Sequence, residues 1–146
     1  MISFPLTPVN RTMTKKLLIT GSLLAGVSVI LGAFAAHWLK ANISTPALTN
    51  FHTAVHYQMV HALAILIMAA LPNKFHTRFF GPAFYAFLTG VILFSGSIYL
   101  LSLREITGWD WPWIGPVTPL GGLLLIAGWI LLILTAATTG DKPADK

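Results

Sequence analysis

The chain has 146 residues, of which 55% are hydrophobic and only 9% are charged, against roughly 25% charged in soluble domains. A soluble fold cannot cover so much apolar surface, so the composition predicts an integral membrane protein. The net charge is +5, but the cations lie between apolar runs and form no basic patch, which argues against a nucleic-acid partner. The sequence has no cysteine, which excludes disulfides, thiolate zinc sites, iron–sulfur clusters and c-type haem attachment.

Four apolar segments are long enough to span a bilayer, because a helix needs about 20 residues to cross the hydrocarbon core. They predict helices at about residues 17–39, 46–71, 79–103 and 119–139. Thr45 before Pro46 and Thr118 before Pro119 are each predicted to be an N-cap hydroxyl followed by a helix-starting proline. Residues 1–16 and 140–146 are polar and are predicted to be tails. The sequence therefore predicts an all-α, four-helix membrane bundle.

The distribution of cations predicts the orientation of this bundle. One side holds most of them: Arg11, Lys15, Lys16, Lys74, Arg78, Lys142 and Lys146. The opposite side holds only Lys40 and Arg104. The positive-inside rule then predicts a bacterial inner-membrane protein with both termini in the cytoplasm, N-in/C-in. The loop containing Trp109, Trp111 and Trp113 falls at the outer face, where tryptophans favour the headgroup region.

Small residues at helical spacing predict where the helices approach closely. In the first helix this stripe contains Gly26 and Ala33 and continues to His37, so His37 is expected to face a neighbouring helix. Ala33 to Ala35 also imitates a signal-peptidase site, but the preceding apolar run is long for a signal peptide. Further packing positions are predicted in the third and fourth helices at Gly90, Ser97, Gly121 and Gly122.

The second predicted helix concentrates the polar side chains of the apolar region. At 100° per residue, Asn50, Tyr57, Gln58 and His61 share one face. His61 lies roughly 10 Å below the start of the apolar run at 1.5 Å per residue. A histidine at this depth is either a functional site or a neutral group that hydrogen-bonds a facing helix, worth about 0.6 to 2 kcal/mol. We favour the second interpretation, since no other His or carboxylate is predicted at the same depth.

A metal site is a weaker hypothesis. His52 and His56 lie one turn apart, on the face nearly opposite His61, and have the spacing of two metal ligands. With His37 and either Glu105 or Asp110 they would suit zinc or copper. Haem with two histidine ligands would need His37 and His56 on facing helices. Phosphate-binding loops and hydrolase motifs do not occur, so these enzyme classes have no support.

Four segments and a dipeptide, read together, resemble a known family. They are GAFAAH (32–37), FHTAVHYQMVHALAIL (51–66), LFSGSIYLLSL (93–103), GPVTPLGG (115–122) and the dipeptide GW (128–129). In this order they are similar to the domain-of-unknown-function 423 family of small multi-span membrane proteins. The family pattern is matched by His37, Tyr57, Gln58 and His61, whereas it has glycine at the position of Ala35. His52 and His56 match none of its motifs. The resemblance implies a multi-span membrane protein and supplies no mechanism.

These observations lead to three functional hypotheses. The first is a non-enzymatic accessory or subunit-like component, with a polar outer-leaflet cluster of His37, Tyr57, Gln58 and His61 beneath a cap formed by 115–122. Its partners would be the lipid bilayer and another membrane protein or a second copy of the chain. The second is a redox component in which His37 and His61 bind haem, a metal or a quinone. The third is a small-solute or ion pathway lined by Asn50 and the cluster residues of the second helix.

Overall fold

The computed structural model describes residues 11–139 as four long helices. They are α1 (Arg11–His37), α2 (Thr45–Ala70), α3 (Phe80–Thr107) and α4 (Val117–Thr138). Short 3-10 turns at Leu39–Ala41, Asn73–Phe75 and Pro112–Ile114 lie in the connections. All four helical segments are long and apolar enough to cross a membrane, and residues 11–139 contain no strand. The predicted all-α membrane bundle of four helices is confirmed.

The helices pack in chain order. α1 packs against α2, α2 against α3, and α3 against α4, so the central pair α2 and α3 each have two extensively packed neighbours. Many large apolar side chains on α1 and α4 remain exposed, including Ile30 and Ile133. Such outward-facing apolar side chains are what a lipid environment requires of a spanning helix.

The buried apolar side chains form two clusters at different heights. The larger cluster gathers Leu17 of α1, Met68 of α2, Phe87 of α3 and Leu125 of α4 with their neighbours. The smaller cluster contains Ala35, Leu39 and Phe51. Buried polar side chains of α1, α2 and α3 lie between the two clusters along the chain: Ser28, Gln58, His61 and Ser95. This polar layer is therefore enclosed by apolar packing above and below.

The helix starts differ from the predicted ones. α1 begins at Arg11, so residues 11–16, predicted to be tail, are helical, and the other predicted tail residues lie outside the described range. The N-cap of α2 is Ser44, whose Oγ accepts a hydrogen bond from the Ala47 N–H at 3.4 Å, and the prediction of Thr45 was wrong. The reason is that Ser44 holds the extended conformation of a cap, with φ −63° and ψ 153°.

The predicted cap of the fourth helix was also wrong. α4 begins at Val117, and Thr118 shares a hydrogen bond of 2.7 Å with Ser97 on α3 instead of capping its own helix. α3 extends beyond the predicted end near residue 103 to Thr107 and stops at Gly108. Gly108 has a φ of 67°, a left-handed conformation that glycine adopts without steric cost and that commonly ends a helix.

Candidate functional site: a hydrogen-bonded network across the bundle

Gln58 connects three helices from its buried position on α2. Its Nε2 donates to the backbone carbonyl of Leu24 on α1 at 2.8 Å. Its Oε1 accepts a hydrogen bond from the Tyr99 hydroxyl on α3 at 3.0 Å. Both ends of the amide are therefore satisfied by protein groups, as a buried amide in an apolar region requires.

His61, one turn further along α2, connects the network to α4. Trp129 on α4 donates its indole N–H to His61 Nε2 at 3.2 Å, and His61 Nδ1 lies 2.8 Å from the Tyr57 carbonyl oxygen. A carbonyl oxygen accepts only, so Nδ1 carries the proton and Nε2 is the acceptor. The imidazole is therefore neutral, and both of its nitrogens are already used in hydrogen bonds. We call the bonds made by Gln58 and His61 the Gln58–His61 network.

Two serines hold the backbone of α2 just before the network. Ser28 on α1 donates to the Val55 carbonyl at 2.9 Å, and Ser95 on α3 donates to the Ala54 carbonyl at 3.0 Å. Both serine side chains are fully buried. Together with Leu24 and Tyr99 they bond α2 to each of its packed neighbours, so the polar layer holds the helices in register.

Tyr57 contributes to this region mainly through its backbone. Its side chain is 41% exposed, and its ring lies 4.6 Å from that of Phe94 and 6.1 Å from that of His61, between centroids. The side chain of Tyr57 is therefore not enclosed with those of Gln58 and His61, unlike in the predicted cluster. Gln58 and His61 point into the bundle, whereas the Tyr57 side chain lies at its edge.

His37 does not join this network. It is the last residue of α1 and is exposed, so the expectation that it faces a neighbouring helix was wrong. The face of α1 that packs against its neighbours contains Leu17, Gly21, Ser28 and Ala35 instead. The segment 115–122, expected to cap the cluster, forms the start of α4 and packs against α3, where Gly121 lies against Phe94.

The residues of the metal hypothesis are dispersed. His52, His56, Glu105 and Asp110 are all exposed, and the described residues contain no group of three His or carboxylate side chains placed to hold a metal. The Glu105 carboxylate has another role, since it accepts hydrogen bonds of 2.7 Å from both the N–H and the hydroxyl of Ser44. It thus joins the end of α3 to the start of α2.

The predicted packing positions differ between α1 and the pair α3 and α4. Gly90 lies where a Cβ would be 2.6 Å from Leu125 Cδ2, and Gly121 and Gly122 both lie against Phe94. Ser97 is buried beside Thr118. On α1, Gly26 and Ala33 are exposed, and a Cβ at Gly26 would meet nothing within 4 Å. The predicted positions on α3 and α4 therefore lie at contacts between these two helices, whereas Gly26 and Ala33 on α1 face outward.

Sequence reasoning did not single out two partners of the network, Tyr99 and Trp129. Both lie in the segments that carry the family resemblance, Tyr99 in LFSGSIYLLSL and Trp129 in GW. A tyrosine hydroxyl or indole N–H inside an apolar helix needs a hydrogen-bond partner, and this was the signal that could have identified them.

The chemical capacity of the network follows from its hydrogen bonds. Neither His61 nitrogen has a free lone pair directed at a cavity, so a metal or haem iron could bind there only after the bond to Trp129 or Tyr57 was broken. Gln58 has no acid–base chemistry. The arrangement is suited to holding helices together.

Comparison with known proteins connects the chain to a family. Residues 31–122 match the family described as Protein of unknown function (DUF423). The UPF0382 membrane protein YwdK of Bacillus subtilis is 37% identical over 123 residues, covering 84% of this chain and 96% of YwdK. The UPF0382 membrane protein SH2409 of Staphylococcus haemolyticus is 38% identical over 121 residues, covering 83% and 94%. The UPF0382 inner membrane protein YgdD of Escherichia coli K12 is 34% identical over 126 residues, covering 85% and 92%.

No solved structure matches the chain. The matched range 31–122 contains Gln58, His61 and Tyr99, and the alignments with the relatives extend over most of the remaining chain. The motifs, the four apolar helices and these relatives agree, and the chain belongs to the DUF423 family of membrane proteins.

Proposed function

We propose that the protein is a non-enzymatic component of the bacterial inner membrane, with both termini in the cytoplasm. It would act by contact with another membrane protein, with a second copy of itself, or with lipid. The location is supported by the Escherichia coli relative, which is called an inner membrane protein. The orientation is supported by the excess of cations on the side of the termini.

The observation that carries this proposal is that every side-chain nitrogen and oxygen of Gln58 and His61 has a hydrogen-bond partner within the protein. The polar atoms of the Gln58–His61 network bond to protein groups on α1, α3 and α4: the Leu24 carbonyl, the Tyr99 hydroxyl and the Trp129 indole. An enzyme needs an acid, base or nucleophile that can reach a substrate, and the buried groups here are engaged with one another. A scaffold whose helices are fixed in register needs this kind of network.

The competing hypotheses have less support. A redox role would require His61 to exchange a protein hydrogen bond for a ligand, and His37 lies exposed at the end of α1. A solute pathway would require Asn50 and Gln58 to line one continuous cavity. Asn50 lines a cavity of about 400 Å³ between α2 and α3, whereas Gln58 lines a different one of about 350 Å³ between α1 and α3.

Native mass spectrometry of the protein, extracted in a mild detergent at its natural expression level, tests this proposal. We expect the mass of the chain alone, of a complex with itself or with a partner protein, or of the chain with lipid. A stoichiometric haem, metal or quinone that the His61→Gln variant loses would overturn the proposal. The matched control is His52→Gln, which changes an exposed histidine on the opposite face of the same helix.

A further inference from the structure

A cavity outside the Gln58–His61 network lies between the start of α2 and the end of α3. It has a volume of about 400 Å³, and neither Gln58 nor His61 lines it. One part of its wall is apolar, at Pro46 and Ile98, and the other is polar, at Asn50, Ser102, Arg104 and Glu105. We call it the α2–α3 pocket. An apolar wall beside a few polar groups is the usual composition of a ligand site.

Ser102 has a buried hydroxyl that is not satisfied by the protein. The residue is only 3% exposed, and within residues 11–139 its Oγ is the buried side-chain polar atom that lacks a hydrogen-bond partner. Five threonines in the helices donate their hydroxyl to the carbonyl one turn earlier: Thr49, Thr53, Thr89, Thr107 and Thr138. Buried polar groups in folded proteins nearly always have a partner. The exception at Ser102 places an unpartnered hydroxyl in the wall of the α2–α3 pocket.

Arg104 supplies a positive charge to the same pocket, whose wall also holds the Glu105 carboxylate. Its neighbour Glu105 is already hydrogen-bonded to Ser44, through the backbone N–H and the hydroxyl. Both Glu105 oxygens are therefore occupied. Among the described residues, Arg104 interacts with Glu105 electrostatically and makes no side-chain hydrogen bond to it. A guanidinium group with free N–H donors matches the oxygen atoms of a phosphate group.

The position of the pocket indicates the source of the phosphate group. Arg104 also lines an adjoining cavity with Trp109 and Trp111, whose exposed rings stack at a centroid distance of 5.2 Å. Exposed tryptophans at a helix end favour the level of the lipid headgroups. Phospholipid phosphates lie at that level. The α2–α3 pocket therefore lies at the level of the phospholipid phosphates. Its wall contains the unpartnered Ser102 hydroxyl and the Arg104 guanidinium.

We propose that the α2–α3 pocket binds a phosphate-bearing group. Arg104 donates to the phosphate oxygens, and the Ser102 hydroxyl donates to another oxygen of the same ligand. A phospholipid headgroup is the membrane source of this chemistry, and a water-soluble phosphate monoester is the other. This site is independent of the proposed function, since the Gln58–His61 network contributes no residue to it.

The experiment measures which lipids the full-length protein retains. The protein is placed in a mild detergent with equal amounts of phosphatidylglycerol, phosphatidylethanolamine and diacylglycerol, and bound lipid is counted by native mass spectrometry. We expect retention of both phospholipids and loss of diacylglycerol, which lacks the phosphate. Arg104→Gln should weaken retention about tenfold, since it removes a charge-assisted hydrogen bond. Arg78→Gln, just before the start of α3, should retain phospholipid like the natural protein.

Excess glycerol 3-phosphate distinguishes the two sources of phosphate. Displacement of the retained phospholipid would assign the pocket to a soluble phosphate monoester, and retention would assign it to the lipid headgroup. Equal retention of diacylglycerol, or equal loss in Arg104→Gln and Arg78→Gln, would overturn the phosphate site altogether.

A pair of serine variants separates a ligand role from a structural one. Ser102→Ala removes a hydroxyl without a partner, so it should leave the unfolding temperature unchanged or raised while weakening phospholipid retention by a few fold. Ser95→Ala removes a bonded hydroxyl, so it should lower the unfolding temperature and leave phospholipid retention unchanged. A Ser102→Ala variant that loses stability but keeps its phospholipid would overturn the proposal.

Discussion

Trp129 on α4 and His61 on α2 are joined by a hydrogen bond of 3.2 Å that fixes the protonation state of the histidine. The indole N–H can only donate, so His61 Nε2 accepts and the proton lies on Nδ1, which donates to the Tyr57 carbonyl at 2.8 Å. A neutral imidazole with a hydrogen bond at each nitrogen avoids the cost of a charge inside the membrane. This single arrangement explains why a histidine can occupy the middle of an apolar helix.

Removing the indole donor tests this bond. Trp129→Phe keeps an aromatic ring against Phe87, whose centroid lies 5.1 Å from that of Trp129, but leaves His61 Nε2 without its donor. We expect a loss of about 1 kcal/mol in the free energy of unfolding, the usual cost of one hydrogen bond. The measurement is reversible unfolding in mixed detergent micelles.

Trp113→Phe provides the control for the indole variant. Trp113 is 66% exposed in the loop before α4, and its ring stacks on Trp111 with a centroid distance of 5.9 Å. We expect no measurable loss of stability from this change. Equal losses for the two variants would mean that the indole ring matters and its hydrogen bond with His61 does not.

Substitution of His61 itself separates a structural role from a ligand role. His61→Gln keeps a donor and an acceptor, whereas His61→Leu keeps only the volume and leaves the Trp129 indole without its acceptor. We expect the glutamine variant to retain most of the stability and the leucine variant to lose about 1 to 2 kcal/mol. Both would be measured by the same unfolding assay. Equal losses in the two variants would contradict the hydrogen-bonding role.

The fold was predictable because its determinants are local. Runs of about 20 apolar residues identify spanning helices without knowledge of their partners. The helix ends were less predictable, since two hydroxyls, Ser44 and Thr45, stand before Pro46 and either can cap α2. Ser44 is the residue that caps α2, and it hydrogen-bonds to Glu105, which is distant in sequence.

The site was only partly predictable, because its partners lie on other helices. The helical period places Gln58 and His61 on one face of α2, and both side chains are buried. The helical period does not indicate which face of α1 packs inward, since small and apolar residues occupy all faces of that helix. His37 was therefore expected inside and is exposed. Pairing with Tyr99 and Trp129 depends on tertiary packing, which no local pattern encodes.

Two glycine variants test the packing of the helices. At Gly121 a new Cβ would lie 2.7 Å from the Phe94 Cα, and this backbone cannot move without shifting α3. Gly121→Ala should therefore cost about 1 to 3 kcal/mol of stability, the usual penalty of overpacking.

The matched control for the glycine test is Gly26→Ala. A Cβ there meets nothing within 4 Å, so the stability of the single chain should be unchanged or slightly raised, since alanine favours the helix over glycine. A clear loss at Gly26 would indicate instead that the outward α1 stripe packs against a second copy or a partner. Size-exclusion chromatography with light scattering would then show whether the variant changes the oligomeric state.

The N-in/C-in orientation can be tested with single cysteines, because the natural chain has none. Lys40→Cys and Lys74→Cys place one thiol at each end of the bundle, and both positions are exposed. In spheroplasts, a membrane-impermeant maleimide should label Cys at position 40 directly and at position 74 only after the membrane is permeabilised. The reverse pattern would contradict the positive-inside argument and place the α2–α3 pocket at the cytoplasmic leaflet. Labelling of both positions without permeabilisation would mean that the spheroplasts leak, so a known cytoplasmic thiol protein serves as the internal control.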